Sequence, residues 1–164
     1  MWVVVVDVRR AELDDLDAIL AFAEAVVPLH YTPILGEHAA RAQLAWWSRE
    51  RMAPAVAAGR VHVAATRRDV VGVCETGELD GAQVIWKLYL APEHRGRSHG
   101  VELLRQAVAA LPPGARSVDV EHFAGNTRAA TFYEREGFAV VRTQPAPPGE
   151  PPGSAVVWRR RHLG

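Results

Sequence analysis

Apolar and polar positions along the chain change period several times, and each change marks a boundary. Trp2 to Arg9 is short and β-branched and predicts a first strand, with Val3 to Val6 buried. From about Glu12 to Val27 the apolar residues Leu13, Leu16, Leu20, Ala23 and Val27 fall on one helical stripe, and Asp14, Asp15 and Asp17 load the positive end of the helix dipole. Pro28 is expected to close this helix, with a loop over His30 to Gly36 and a second helix from about Glu37 to Ala57, ragged around Pro54. At Arg60 the period becomes two. Val61 to Ala65 and Val70 to Thr76 read as a hairpin around Arg68-Asp69, and Gln83 to Leu90 follows the tight turn Glu78-Leu79-Asp80-Gly81 as a further strand.

A helix from about Ser98 to Leu111 places Val101, Leu104, Val108 and Leu111 at helical spacing and stops at Pro112-Pro113-Gly114. Ser117 to His122 is a strand. Asn126 suits the N-cap of a helix over Thr127 to Glu136, and Gly137 its C-terminal stop. Phe138 to Arg142 and Ser154 to Arg160 are the last strands, separated by a proline-rich loop from Gln144 to Gly153. No repeat, low-complexity tract or linker interrupts this order, so residues 1–164 are expected to form a single domain with a sizeable core.

Composition narrows the classes of function. Hydrophobic residues at 49% and charged residues at 23% argue against disorder, and a formal net charge of zero removes bulk attraction to nucleic acid or an anionic membrane. One cysteine, Cys74, excludes an internal disulfide and a multi-cysteine metal site and suits a cytoplasmic protein. The opening Met-Trp-Val-Val-Val-Val lacks a basic region, and Asp7 interrupts its apolar run; neither a signal peptide nor a membrane anchor is expected.

The chemistry concentrates between Leu88 and Leu104. An apolar strand ends at Pro92, a turn rich in Arg and Gly follows, and a helix begins at once. Unpaired N–H groups of a first helical turn favour a phosphate, and Arg95 and Arg97 add positive charge. No Gly-Lys-Ser/Thr follows the turn, which excludes a P-loop, and the first strand is not followed by the Gly-x-Gly-x-x-Gly of a dinucleotide fold.

The stretch Leu-Tyr-Leu-Ala-Pro-Glu-His-Arg-Gly-Arg-Ser-His-Gly, together with Asn126 and Phe132-Tyr133-Glu134-Arg135-Glu136-Gly137-Phe138 in the observed order of elements, resembles the GNAT superfamily of acetyl-CoA-dependent N-acetyltransferases. The likeness is strongest from about Val61 to Val141. It implies an α/β (α+β) fold: a central mixed, mostly antiparallel sheet of about seven strands, flanked by about four helices and splayed between the strands ending at Leu90 and His122. It also implies a cofactor site. The pantetheine arm would pair near Leu88, Tyr89 and Leu90, the pyrophosphate would sit on Arg95, Gly96, Arg97, Ser98, His99 and Gly100, and Asn126 and Tyr133 would reach the arm. The family's usual turn has a glycine where this chain has Ser98.

The activity implied is direct acetyl transfer from acetyl-CoA to a primary amine on a small molecule or a protein, without a metal; the alternative is a non-catalytic acyl-CoA sensor or scaffold of the same fold. By family position the Leu90 N–H is the donor to the thioester oxygen and Tyr133 the general acid. For a lysine-like amine with pKa near 10.4, reaching the neutral form at pH 7 costs about 4–5 kcal/mol, so a base is expected. Glu75, Glu121 and His122 are its candidates, and strand alternation leaves the choice open. His30 and Tyr31 lie where the family borders its acceptor site. A homodimer is compatible with the family, and no nucleic-acid or membrane partner is expected.

Overall fold

The computed structural model describes residues 2–164. Its seven strands form one sheet: β1 (Asp7–Arg10), β2 (Val61–Ala65), β3 (Val70–Leu79), β4 (Ala82–Leu90), β5 (Ser117–Phe123), β6 (Ala139–Gln144) and β7 (Val156–His162), in the spatial order β1-β2-β3-β4-β5-β7-β6. Every pairing is antiparallel except β4 with β5. Five α-helices accompany it: α1 (Leu16–Leu35), α2 (Glu37–Ala42), α3 (Arg49–Ala57), α4 (His99–Ala109) and α5 (Thr127–Arg135).

The first strand is shorter than its sequence pattern. Residue Asp7 pairs with Ala65, the last residue of β2, so nothing lies opposite the residues before it. Trp2, Val3, Val4 and Val5 are accordingly exposed rather than buried.

Helix α1 does not stop at Pro28. It runs on through Pro28 and Pro33 to Gly36, whose φ of 84° ends it. Proline inside a helix costs about 3 kcal/mol, but Val27 and Tyr31, one turn apart, are buried against the sheet, while Pro33 is exposed. Tertiary packing therefore outweighs the local penalty, and His30 and Tyr31 sit on a helix instead of a loop. The span Leu13–Leu35 is long and apolar enough to cross a membrane by composition, yet here it supplies Ile19, Phe22, Ala23 and Val27 to the core. The expected second helix is broken into α2, a 3-10 turn at Gln43–Trp47, and α3. Trp47 packs inward, and Trp46 stays out under Arg51.

The opposite face of the sheet is covered by α4 through Leu103, Leu104 and Ala107, one position out of phase with the expected stripe; Val101 is left 42% exposed. Gly72 lets the helix come close, since a Cβ there would lie 2.8 Å from Leu90 and 3.0 Å from Leu103. Asp80 and Gly81, with φ of 51° and 83°, make the two-residue hairpin between β3 and β4.

One irregularity shapes everything that follows. Glu75 pairs with Lys87 but Thr76 pairs with Ile85, so Trp86 is an extra, bulged residue in β4. Ile85 is also the last residue of β4 that pairs with β5. A bulge bends its strand, and from Trp86 onward β4 departs from β5. Gly77 makes room for the bulged indole: a Cβ there would meet Trp86 at 2.5 Å.

Candidate active site

The splay between β4 and β5 opens into a cleft of about 610 Å³, a size suited to a small-molecule ligand. Its floor is the unpaired edge of β4. The Ala91 N–H donates to Val71 O on β3 at 2.8 Å, and since successive peptide groups of a strand point to opposite sides, those of Leu90 and Leu88 face the splay. Leu88, Tyr89 and Leu90 all line the cleft.

At one end the cleft meets the N-terminus of α4. The first bond of this helix runs from Glu102 N–H to Ser98 O at 3.1 Å, so the N–H groups of His99, Gly100 and Val101 lie ahead of it and have no helical acceptor. Arg95, Gly96, Ser98, His99 and Gly100 line this end; Arg97 is exposed and lies outside the lining. Two further arginines join the lining, Arg128 and Arg135, seven residues apart on α5 and therefore on one face. Sequence reasoning passed over both, although that spacing on a helix capped by Asn126 was a usable signal. Burial and the neighbouring Arg128 both act against the charge of Arg95, pulling its pKa down, and an anion between these guanidinium groups would relieve both effects.

Ser98 adopts the left-handed conformation, φ 65° and ψ 10°, at the N-cap of α4 and makes no capping bond with its side chain. The chain thus keeps a glycine-type turn with a residue that strains it by about 1 kcal/mol. Ser98→Gly is expected to raise stability by about that amount, read as an upward shift of a denaturation midpoint, and to hold or tighten binding of coenzyme A in calorimetry.

On the wall formed by α5, the Asn126 side chain accepts from Ala129 N–H at 3.1 Å and caps the helix as expected. Its Nδ2 donates to His30 Nε2 at 3.1 Å, tying the end of α1 to the start of α5. Burial and the charges of Arg95 and Arg128 hold the His30 pKa down, which keeps this ring a neutral acceptor. Tyr133 lies on the same wall, stacked on His122 and packed edge-on against Phe132 and Phe138. Its hydroxyl has no hydrogen-bond partner among the described residues, and burial pushes its pKa well up, so it remains a protonated O–H.

The three candidate bases separate cleanly. Glu75 lies outside the cleft lining, in a buried ion pair with Lys87 at 2.8 Å beneath Trp47. His122 lines the cleft, but its Nδ1–H donates to Phe123 O at 2.9 Å and its Nε2 accepts from Arg159 at 3.0 Å, which leaves no nitrogen for a further proton. Glu121 also lines the cleft and has no hydrogen-bond partner among the described residues; desolvation raises its pKa against a weaker opposing pull from Arg142. Beside it, Tyr31 and Tyr89 join hydroxyl to hydroxyl, with His30 edge-on to both rings and Tyr31 edge-on to Phe123.

A helix end with unpaired N–H groups beside arginines, an unpaired strand edge, and a Tyr133 hydroxyl and Glu121 carboxyl without partners line one cleft, an arrangement suited to acyl transfer from a phosphate-bearing donor. A family model for the GNAT acetyltransferase domain matches residues 57–140, just over half of the chain, and the protein belongs to this family of acyltransferases. A comparison with curated protein sequences finds no significant match. Solved structures agree on the fold. The PaiA N-acetyltransferase of Thermoplasma acidophilum, in complex with coenzyme A, is similar at a TM-score of 0.80 with 17% identity, over 97% of this chain and 99% of that one. Arabidopsis thaliana Naa50, with the bisubstrate analogue CoA-Ac-MVNAL, gives 0.68 and 18% over 96% and 99%. The yncA protein of Salmonella typhimurium with its cofactor acetyl-CoA gives 0.68 and 20% over 97% and 94%.

Proposed function

We propose that this protein moves an acetyl group from acetyl-CoA directly to a primary amine in a ternary complex, in the cytoplasm. The observation that carries the reading is the pair of unpartnered groups in one cleft, the Tyr133 hydroxyl and the Glu121 carboxyl. Acetyl-CoA supplies an activated thioester. Coenzyme A fits the residues present: the α4 amides with Arg95, Arg128 and Arg135 suit its phosphates, and the free edge at Leu88 and Leu90 suits its amide-bearing arm.

In this reading the Leu90 N–H stabilises charge on the carbonyl oxygen. Glu121 takes one proton of the incoming ammonium; the neutral nitrogen then forms the C–N bond to the acetyl carbon as the C–S bond breaks, Tyr133 protonates the departing sulfur, and the second proton shed by nitrogen restores the phenol. His30 and Tyr31 border the amine. The complexes of PaiA with coenzyme A and of Naa50 with a peptide-bearing analogue support the donor and the class of acceptor.

Incubation with acetyl-CoA and a panel of amines, followed by free thiol, tests this reading: tight coenzyme A binding with no release above background would favour the sensor. Glu121→Gln is expected to lower kcat/KM by about 100-fold or more at neutral pH. The sign of the pH dependence follows from the raised pKa. The active form is the carboxylate, so the wild-type rate climbs as pH rises through a pKa raised from the ordinary glutamate value, and that limb disappears in the variant. A limb retained in the variant would remove Glu121 from the mechanism.

A further inference from the structure

We propose that the acceptor is a small amino-carboxylate: its amine is taken by Glu121 and its carboxylate, a few bonds away, is held by Arg142 beside the indole of Trp158. This rests on the acetyl-transfer reading above. Register is the starting point. In the β5–β7 pair Glu121 stands opposite Trp158, and in the β6–β7 pair Trp158 stands opposite Arg142. Directly opposed residues share a face, so the three form one row across three strands, on the face where Phe123 meets Tyr31 of α1.

The row begins in the cleft at Glu121 and runs out of it: Trp158 and Arg142 lie beyond the cleft lining, the latter on β6, an edge strand exposed along its whole length. Strand spacing puts the backbones of Glu121 and Arg142 about 10 Å apart. The Arg142 guanidinium folds back over Trp158, 4.6 Å from the ring centroid, which brings the cation toward Glu121. Its field is felt there, as the one charge acting to hold the Glu121 pKa down, yet among the described residues Arg142 makes no ion pair. Trp158 is 5% exposed, and its Nε1–H is buried without a partner among the described residues, a state that costs free energy.

A free carboxylate, a buried indole donor and an unpaired guanidinium in one row match an amine and a carboxylate carried by the same small molecule. A bidentate carboxylate is what a planar guanidinium holds well. The same cation works against a plain amine, because an ammonium at Glu121 with no carboxylate behind it meets only repulsion from Arg142. Selectivity therefore arises from both attraction and rejection.

The test is thiol release from acetyl-CoA with matched acceptors: leucine against 3-methylbutylamine, methionine against 3-(methylthio)propylamine, and β-alanine against ethylamine. Amino-carboxylates are expected to exceed their amines by about tenfold or more in kcat/KM for at least one pair, and R142Q to bring that ratio to about one, chiefly by raising KM for the amino-carboxylate. R142K should restore part of the ratio, whereas a purely structural role would depress both members alike. Amines equalling or surpassing their partners throughout, or a ratio unmoved in R142Q, overturns the assignment of this row and leaves acetyl transfer standing. No thiol release from any acceptor, with coenzyme A still bound, overturns both.

Discussion

Tyr133→Phe is expected to lower turnover by about 100-fold or more while leaving the affinity for coenzyme A within about twofold of wild type. The asymmetry follows from what the hydroxyl touches. It has no protein hydrogen bond to lose, and the ring contacts with His122, Phe132 and Phe138 survive the substitution, so the melting temperature should also hold. A tyrosine with a raised pKa is a poor acid in water, but burial raises the pKa of a thiol as well, as at Cys74, whose thiol is pushed up to about 12. Desolvation thus raises the proton affinity of thiolate and phenolate together and keeps transfer between them feasible. Rapid mixing of acetyl-CoA and an accepted amine, with thiol release followed over a single turnover, isolates the step. Unchanged release in the variant would remove Tyr133 from the reaction.

Gly100→Asp is expected to abolish coenzyme A binding without unfolding the protein. Gly100 is the second residue of α4, outside the left-handed region, and a Cβ there would lie 3.6 Å from Phe132, an ordinary contact. A carboxylate in a first helical turn even favours the helix dipole. It harms only an incoming anion: two like charges 4 Å apart repel by about 4 kcal/mol at an effective dielectric of 20, enough for a loss of more than about 100-fold. Calorimetric titration with coenzyme A beside a thermal melt reads both halves. Retained affinity would mean that the phosphates sit elsewhere.

The two proline outcomes show where sequence reasoning stops. Helix α4 stops at Ala109, ahead of Pro112 and Pro113, whereas Pro28 is carried through α1 because Tyr31 beyond it is locked to Tyr89 and Phe123. The local chemistry differs, since Pro113 also bars Pro112 from the helical region, but a single proline as at Pro28 is outweighed by the packing beyond it. Val3 to Val6 teaches the converse. Four β-branched residues make a strand only where another strand runs opposite, and β2 ends at the partner of Asp7.

Within the site, the sequence alone determined the phosphate-type turn, the Asn126 cap and the placing of Tyr133 two turns beyond it. These depend on bonds within a few residues, and turn chemistry, capping and helical period are local. Tertiary structure decided the rest. It placed the bulge at Trp86 where β4 leaves β5, brought Arg128 and Arg135 to the cleft lining, and separated Glu121 from Glu75 and His122. Those outcomes depend on which strand lies opposite which, and on whether a partner such as Lys87 or Arg159 has already claimed a side chain. Ser98 joins the two levels: the residue departs from glycine, and the fold holds it in a glycine's conformation all the same.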